Sequence, residues 1–169
     1  MLDPKYGVFA LTEADRPAFI AHMLRLDPEA RRRRFGTPLS DYAVEKVCQA
    51  MPLDRTAWGI YIWGHLKGTT LVVPYASQPE RGEFAITLST SLRGRGWGRF
   101  LTRSTLEAAY QDGRTLVDVY YLHENEAMGR ICARYPGPLS RDAGECHKII
   151  QLEQWVTQEL VPSALVDYA

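Results

Sequence analysis

Apolar residues recur along this chain with two periods, and each period predicts an element. Tyr6–Ala10 (YGVFA) reads as a short strand. A helix follows, with Asp15 at its N-cap and Pro17 in the first turn, where a missing N–H costs nothing; Phe19, Ile20, Met23 and Leu24 then fall at helical spacing. LDPEARRRRFGTPLS, Leu26 to Ser40, carries two prolines and a glycine and predicts a turn, a short helix and a loop. Ser40 caps a second helix running to about Ala50.

Trp58–Trp63 (WGIYIW) and Thr69–Ala76 (TTLVVPYA), joined by GHLKG, predict a β-hairpin with an unusually long turn. Gln78–Gly82 predicts another turn. From Glu83 to Thr90, Phe84, Ile86 and Leu88 alternate with Ala85, Thr87 and Ser89, which is strand periodicity; a glycine-rich run ends that strand. Trp97, Leu101, Ser104 and Ala108 lie one helical turn apart, so a helix extends to about Gln111 and stops at Gly113. Leu116–Leu122 (LVDVYYL) is a strongly apolar, central strand. Asn125–Ala133 suits a helix closed by YPGP, and His147–Leu152 (HKIIQL) is a last strand. The tail from Glu153 fits neither period.

Adjacent hairpin strands imply antiparallel pairing. The strand–helix–strand unit from Glu83 to Leu122 implies one parallel, right-handed crossover. The expected class is therefore α+β, a mixed, mostly antiparallel sheet flanked by helices. At 169 residues a single domain is expected, its core at about residues 5–152, with a tail at 153–169 of unassigned role.

Composition narrows the function classes. Twenty basic residues balance twenty acidic ones, which gives no support to a general nucleic-acid or membrane-surface role. Any basic patch has to be local. No basic, apolar, small-residue series marks a secretion signal, and the apolar region from Trp58 to Ala76 is interrupted by Gly64, His65, Lys67 and Gly68. Cys48, Cys132 and Cys146 are odd in number and far apart, which fits reduced thiols in a cytoplasmic protein and no metal site.

The local basic patch is LRGRGWGRF, Leu92–Phe100. A glycine-rich loop between a strand and a helix is a recurrent anion cradle: amides at a helix N-terminus lack partners, and glycine allows close approach and positive φ. Arg93, Arg95, Arg99 and Arg103 add charge. No lysine follows, so this is not a nucleotide-triphosphate loop, and Arg99 stands where a dinucleotide fingerprint needs its third glycine. On these residues alone, a solvated basic turn remains the alternative.

Arg93 to Gly98 has the form R-x-x-G-x-G, and here the sequence resembles the GNAT superfamily of N-acetyltransferases, whose acyl-CoA pyrophosphate loop reads [Q/R]-x-x-G-x-[G/A]. Asn125, Met128 and Ile131 match the superfamily's N-x-x-[A/M]-x-x-[L/Y] helix start. A closer likeness is to the acetyltransferase domain of bacterial protein-lysine acetyltransferases. Leu26–Phe35 (LDPEARRRRF) resembles their L-S-P-E-S-x-x-x-R-F, and Gly82–Ile86 (GEFAI) contains a close copy of their A-E-F-A-[V/I].

The resemblance implies the GNAT acyl-CoA N-acyltransferase fold and transfer of an acetyl group from acetyl-CoA to a primary amine, protein lysine favoured, by direct attack. Acetylation of a small-molecule amine and a non-catalytic CoA-binding regulatory domain are the alternatives. Glu83 matches the glutamate that would serve as general base. Leu88 and Thr90 would offer amides to the pantetheine arm and thioester carbonyl. Arg93, Gly94, Arg95, Gly96, Gly98 and Arg99 would hold the pyrophosphate, and Asn125 would contact pantetheine while capping its helix. Acetyl-CoA is the implied co-substrate. The implied partner is a protein lysine or small amine, with no nucleic acid or membrane and a homodimer left open.

Two departures stand out. Many members place a thiolate-protonating tyrosine seven residues after the asparagine; here that position is Cys132, expected to be a buried small residue. Tyr120, Tyr121 and Tyr135 remain as other phenols. ARYPGPL replaces the family's basic residue and Gly-Phe, which reshapes the following turn. His22 and His147 read as structural or surface residues, His65 as a turn residue, and His123 as lying beside the expected cleft. Arg31–Arg34 reads as a solvated helix face that, by resemblance, borders the acceptor side and favours acidic acceptors.

Overall fold

The computed structural model describes residues 7–53 and 56–160. Strand β1 (Gly7–Ala10) leads through a 3-10 turn (Glu13–Asp15) into α1 (Arg16–Leu24), α2 (Pro28–Phe35) and α3 (Asp41–Ala50). Strands β2 (Ala57–Ile62), β3 (His65–Tyr75) and β4 (Gln78–Leu88) form an antiparallel meander. A second 3-10 turn (Thr90–Leu92) precedes α4 (Trp97–Gln111), then β5 (Leu116–Leu122), α5 (Glu126–Cys132), β6 (Leu139–Asp142), β7 (Glu145–Gln151) and α6 (Leu152–Leu160). The seven strands form one sheet in the order β1-β2-β3-β4-β5-β7-β6, parallel at β4–β5 and antiparallel elsewhere.

The sheet is apolar on both faces. Leu71 of β3 packs with Phe19 and Met23 of α1 and Val44 and Cys48 of α3. Its neighbour Val72 points the other way, joining Phe84, Val117 and Val119 beneath Leu106 of α4, Met128 of α5 and Trp155 of α6. Helices α1–α3 thus cover one face and α4–α6 the other, as strand alternation requires.

Several local expectations change. GHLKG is not a long turn: Ile62 pairs with His65, and the loop is Trp63–Gly64, with φ of 50° and 77°, the two-residue primed turn that suits strand twist. Gln78–Gly82 likewise belongs to β4, since Tyr75 pairs with Gln78. Gly68 and Gly82 mimic turn signals, yet each sits in a strand because a neighbour comes too close. A Cβ on Gly68 would meet Leu88 Cδ2 at 2.5 Å, and one on Gly82 would meet the Val73 carbonyl at 2.8 Å.

Asp15 does stand at the N-cap of α1, but its side chain makes no cap bond there; it accepts from the Thr12 amide at 3.0 Å and the Tyr61 hydroxyl at 2.7 Å. The buried stripe of α4 is Leu101, Thr102, Thr105, Leu106 and Ala109, so Trp97, Ser104 and Ala108 flank it. Strand β6, exposed throughout, escaped prediction because it buries no apolar face, and its hairpin to β7 turns at Ala143–Gly144. The ambiguous tail begins as α6, with Leu152 and Trp155 in the core; Tyr6 and residues 161–169 lie outside the described residues. No described helix is long and apolar enough to cross a membrane.

One buried charge ties the centre together. Asp118 of β5 is wholly buried and accepts from Arg81 of β4 (Nε to Oδ2 2.5 Å, Nη2 to Oδ1 2.6 Å) and from His147 of β7 (Nε2 to Oδ1 2.6 Å). Burial by itself would raise this carboxyl, but the hydrogen bonds and charges of Arg81 and His147 outweigh it and hold it below its ordinary value. Its stabilisation is therefore present above the unfolded carboxyl's range and is lost as pH falls through the lower, folded value. Asp118→Asn should cost about 3 kcal/mol in urea unfolding at neutral pH; a loss below about 1 kcal/mol would show that this clamp is not what holds β4, β5 and β7 together.

Candidate active site

Strands β4 and β5 pair through Arg81–Leu116, Gly82–Val117 and Glu83–Asp118, and no further. Both strands continue, to Leu88 and Leu122, so beyond Glu83 they part and leave a cleft through the sheet. Phe84–Leu88 form one wall and Val119–Tyr121 the other.

The parting leaves backbone groups open. The Ser89 amide bonds the Lys67 carbonyl on β3, so by alternation the odd-numbered residues of β4 face β3, and Ile86 and Leu88 turn their N–H and C=O groups to the cleft. The Leu88 carbonyl accepts from Arg93 Nε at 3.2 Å, which fits that direction. Leu88 was expected here; Ile86 was missed, although strand period 2 would have supplied it. Thr90 has left the strand, and its carbonyl accepts the Arg93 amide in the 3-10 turn.

Side chains divide by face. Glu83, Ala85, Thr87 and Tyr120 point to the α1–α3 side, where Leu26 and, from α2, Ala30, Arg33 and Arg34 close the cleft. Ile86 and Leu88 point to the α4–α6 side, beside Gly98, Asn125, Met128 and Ile131. Of the expected residues, Glu83, Leu88, Arg93, Gly98 and Asn125 line this one cleft. Gly94, Arg95, Gly96 and Arg99 stand on the exposed loop and first turn of α4 above it.

That loop meets the physical demands of an anion cradle. Gly94 and Gly96 have φ of 71° and 83°, conformations that disfavour a side chain, and nothing lies within 4 Å of where a Cβ would be. The space above them is open. The first-turn amides of α4 have no partner further back in the helix, and Arg93, Arg95 and Arg99 form no ion pair among the described residues. Arg103 differs, since Glu107 and Glu159 hold it at 2.8 and 3.0 Å. Asn125 is the N-cap of α5, its Oδ1 accepting from the Met128 amide at 3.2 Å.

Glu83 is half-buried at the apex of the cleft and forms no hydrogen bond or ion pair among the described residues. Cys132 lies in the core, where burial pushes its thiol up to about 12. Tyr135 is buried against Trp155 away from the cleft; Tyr121 lines it from a mostly buried position, and burial pushes its phenol up to about 12. Tyr120 is half exposed and stacks on His147 at 4.4 Å between centroids. His123 does not line the cleft, and exposed His65 opens β3. No cluster of His, Cys, Asp or Glu among the described residues is arranged to hold a metal ion.

No protein-family model and no curated protein sequence matches the chain. Solved structures do. The GNAT domain of S. lividans PAT superposes with a TM-score of 0.70 at 18% identity, over 85% of this chain and 89% of that one. The yncA protein of Salmonella typhimurium, solved with its cofactor acetyl-CoA, gives 0.64 at 12%, over 88% and 94%. The paia N-acetyltransferase of Thermoplasma acidophilum, in complex with coenzyme A, gives 0.60 at 12%, over 85% and 97%. The chain has the GNAT fold. Identities this low describe the backbone rather than the chemistry.

His22 supports the cleft from behind. It is buried in α1, with Nε2 2.9 Å from Thr87 Oγ1, which in turn lies 2.9 Å from Thr69 Oγ1. Burial, reinforced by the charge of Arg25, lowers this imidazole to about 4. Between its unfolded and folded values the unfolded chain binds the extra proton, so stability falls as pH drops from about 6.5 towards 4. The loss should be on the order of 3 kcal/mol, and His22→Gln should flatten that stretch of a melting-temperature profile against pH. An unchanged profile would assign the slope to other groups.

Proposed function

We propose that the protein is an N-acetyltransferase that moves the acetyl group of acetyl-CoA to a primary amine, protein lysine favoured, with Glu83 as general base. The observation that carries this reading is the position of Glu83: an unpaired carboxylate at the point where β4 and β5 part, between the two faces of the cleft. Bound acetyl-CoA supplies an activated thioester. The loop amides of Gly94 and Gly96, the first turn of α4 through Gly98, and the side chains of Arg93, Arg95 and Arg99 would hold its pyrophosphate. The open amides of Ile86 and Leu88 and the side chain of Asn125 would guide the pantetheine arm, and an amide aimed at the carbonyl would stabilise the charge that develops there.

On the opposite face the amine arrives as an ammonium, since an alkyl amine near pKa 10 is protonated at neutral pH. Glu83 attracts it and takes its proton, directly or through one water. The neutral nitrogen then bonds to the acyl carbon and the C–S bond breaks; sulfur leaves with the bonding pair and is protonated from solvent, while the nitrogen gives up its second proton to solvent and becomes the amide. Cys132 has no part in this step. Protein lysine is favoured by the LDPEARRRRF and GEFAI stretches, which form facing parts of the cleft, and by the likeness to the GNAT domain of S. lividans PAT, a protein acetyltransferase.

Thiol release from acetyl-CoA, measured with lysine peptides and with a panel of small amines, tests the reaction and its acceptor class. Glu83→Gln should lower turnover by roughly 100-fold or more, while acetyl-CoA still raises the melting temperature as in the parent protein. Unchanged turnover would remove Glu83 from the role. Gly96→Glu places a carboxylate and a Cβ where the backbone has φ of 83°; it should abolish the thermal shift given by CoA. A shift that persists would move the phosphates to another surface.

A further inference from the structure

Four consecutive arginines run along α2, and the structure treats them differently. Arg31 donates to the carbonyls of Leu24, Leu26 and Leu39 and pairs with Asp41 at 2.6 Å. Arg32 is held by Glu29 and Glu124, and Arg33 by Glu29 at 2.8 Å. Arg34 has no carboxylate partner among the described residues. It lines the cleft on the same face as Glu83; its Nε is buried without a hydrogen bond, and Nη2 reaches only the Met51 sulfur, at 3.5 Å. The guanidinium carbon lies 5.0 Å from the Phe35 ring centroid.

We propose that Arg34 is the acceptor-recognising residue of this cleft, its guanidinium receiving a carboxylate that the acceptor carries near its reacting amine. The inference rests on the acetyl-transfer reading for the word acceptor, though not for the existence of the anion site. A desolvated guanidinium with no carboxylate bonded to it is costly, and it keeps its proton, so a ligand anion is the natural relief. Burial disfavours its charge, in keeping with that cost. Glu83 attracts it across the cleft and offsets part of that cost, but the two form no ion pair, so no carboxylate among the described residues is bonded to the guanidinium. The α2 side of the cleft therefore offers one unpaired anion and one unpaired cation, complementary to an ammonium and a carboxylate on one molecule. A glutamate or aspartate beside a lysine, or the acid group of a free amino acid, supplies that pair.

Equilibrium binding to the protein–CoA complex separates these sources. One probe pair is a terminally blocked heptapeptide with lysine between two glutamates, and its counterpart with glutamines. The other pair is 5-aminopentanoate and pentylamine. The carboxylate member of at least one pair should bind about 10- to 100-fold more tightly. Arg34→Gln should remove that preference while leaving the neutral member within about 2-fold, and Arg34→Lys should restore part of it. A preference confined to the small pair would identify a free acceptor, and one seen in the peptides a protein lysine. Equal binding of both members by the parent protein, or a preference that survives Arg34→Gln, overturns the assignment. Thiol release with the same amines is read separately: its absence alongside Arg34-dependent binding would retire the transferase reading and leave the anion site standing.

Discussion

Everything that makes this surface a site depends on where β4 and β5 stop pairing. A sheet normally satisfies both edges of an interior strand, and an interior strand left half-paired carries exposed donors and acceptors. Here the pairing is held firmly at one end by Asp118, which bonds Arg81 across β4–β5 and His147 across β5–β7. Beyond Glu83 the two strands diverge, and Ile86 and Leu88 keep outward-facing amides. Those amides, the first turn of α4 and the Glu83 carboxylate occupy one cleft because of a single geometric event. The clamp supplies rigidity without contributing any group to the chemistry.

Much of this was legible in the sequence, for identifiable reasons. The α+β class, the single crossover and the loop before α4 follow from periodicity and glycine placement, which depend on local sterics. Glu83 and Asn125 required the likeness to a known motif, because a glutamate in a strand and an asparagine before a helix are ordinary on their own. The misreadings also have a physical pattern. Gly68 and Gly82 are read as turns when only their conformational freedom is considered, whereas both lie in strands where an added Cβ would crowd a neighbour, the Leu88 methyl at Gly68 and the Val73 carbonyl at Gly82. Strand β6 gave no signal because all its residues face solvent.

The arginine run shows what composition and periodicity cannot hold: only the likeness to L-S-P-E-S-x-x-x-R-F sets Arg34 apart, and it does not say what the side chain meets. Four identical side chains on α2 have the same propensity and charge, and a solvated face was the economical reading. Their partners are scattered, from Leu24 to Glu124, and only the folded chain brings those groups to the helix. Three arginines end with acids or carbonyls, so the net field of the run is far smaller than its formal charge. What remains is concentrated on Arg34, which lines the cleft on the same face as Glu83.

This places donor and acceptor recognition on separate physical footings. On the proposed reading the donor side would rely on backbone amides and a helix N-terminus, groups that a backbone of the right shape provides whatever its side chains. On the proposed reading the acceptor side would rely on side chains, Glu83 and Arg34, whose charges are local. The proposed donor is thus argued from backbone geometry, while the proposed acceptor is argued from which charges on the α2 face form no ion pair among the described residues. Asp118 is surrounded by partners and belongs to the scaffold; Glu83, its neighbour across the last paired rung, forms no hydrogen bond or ion pair among the described residues, which leaves its carboxylate oxygens open to a ligand.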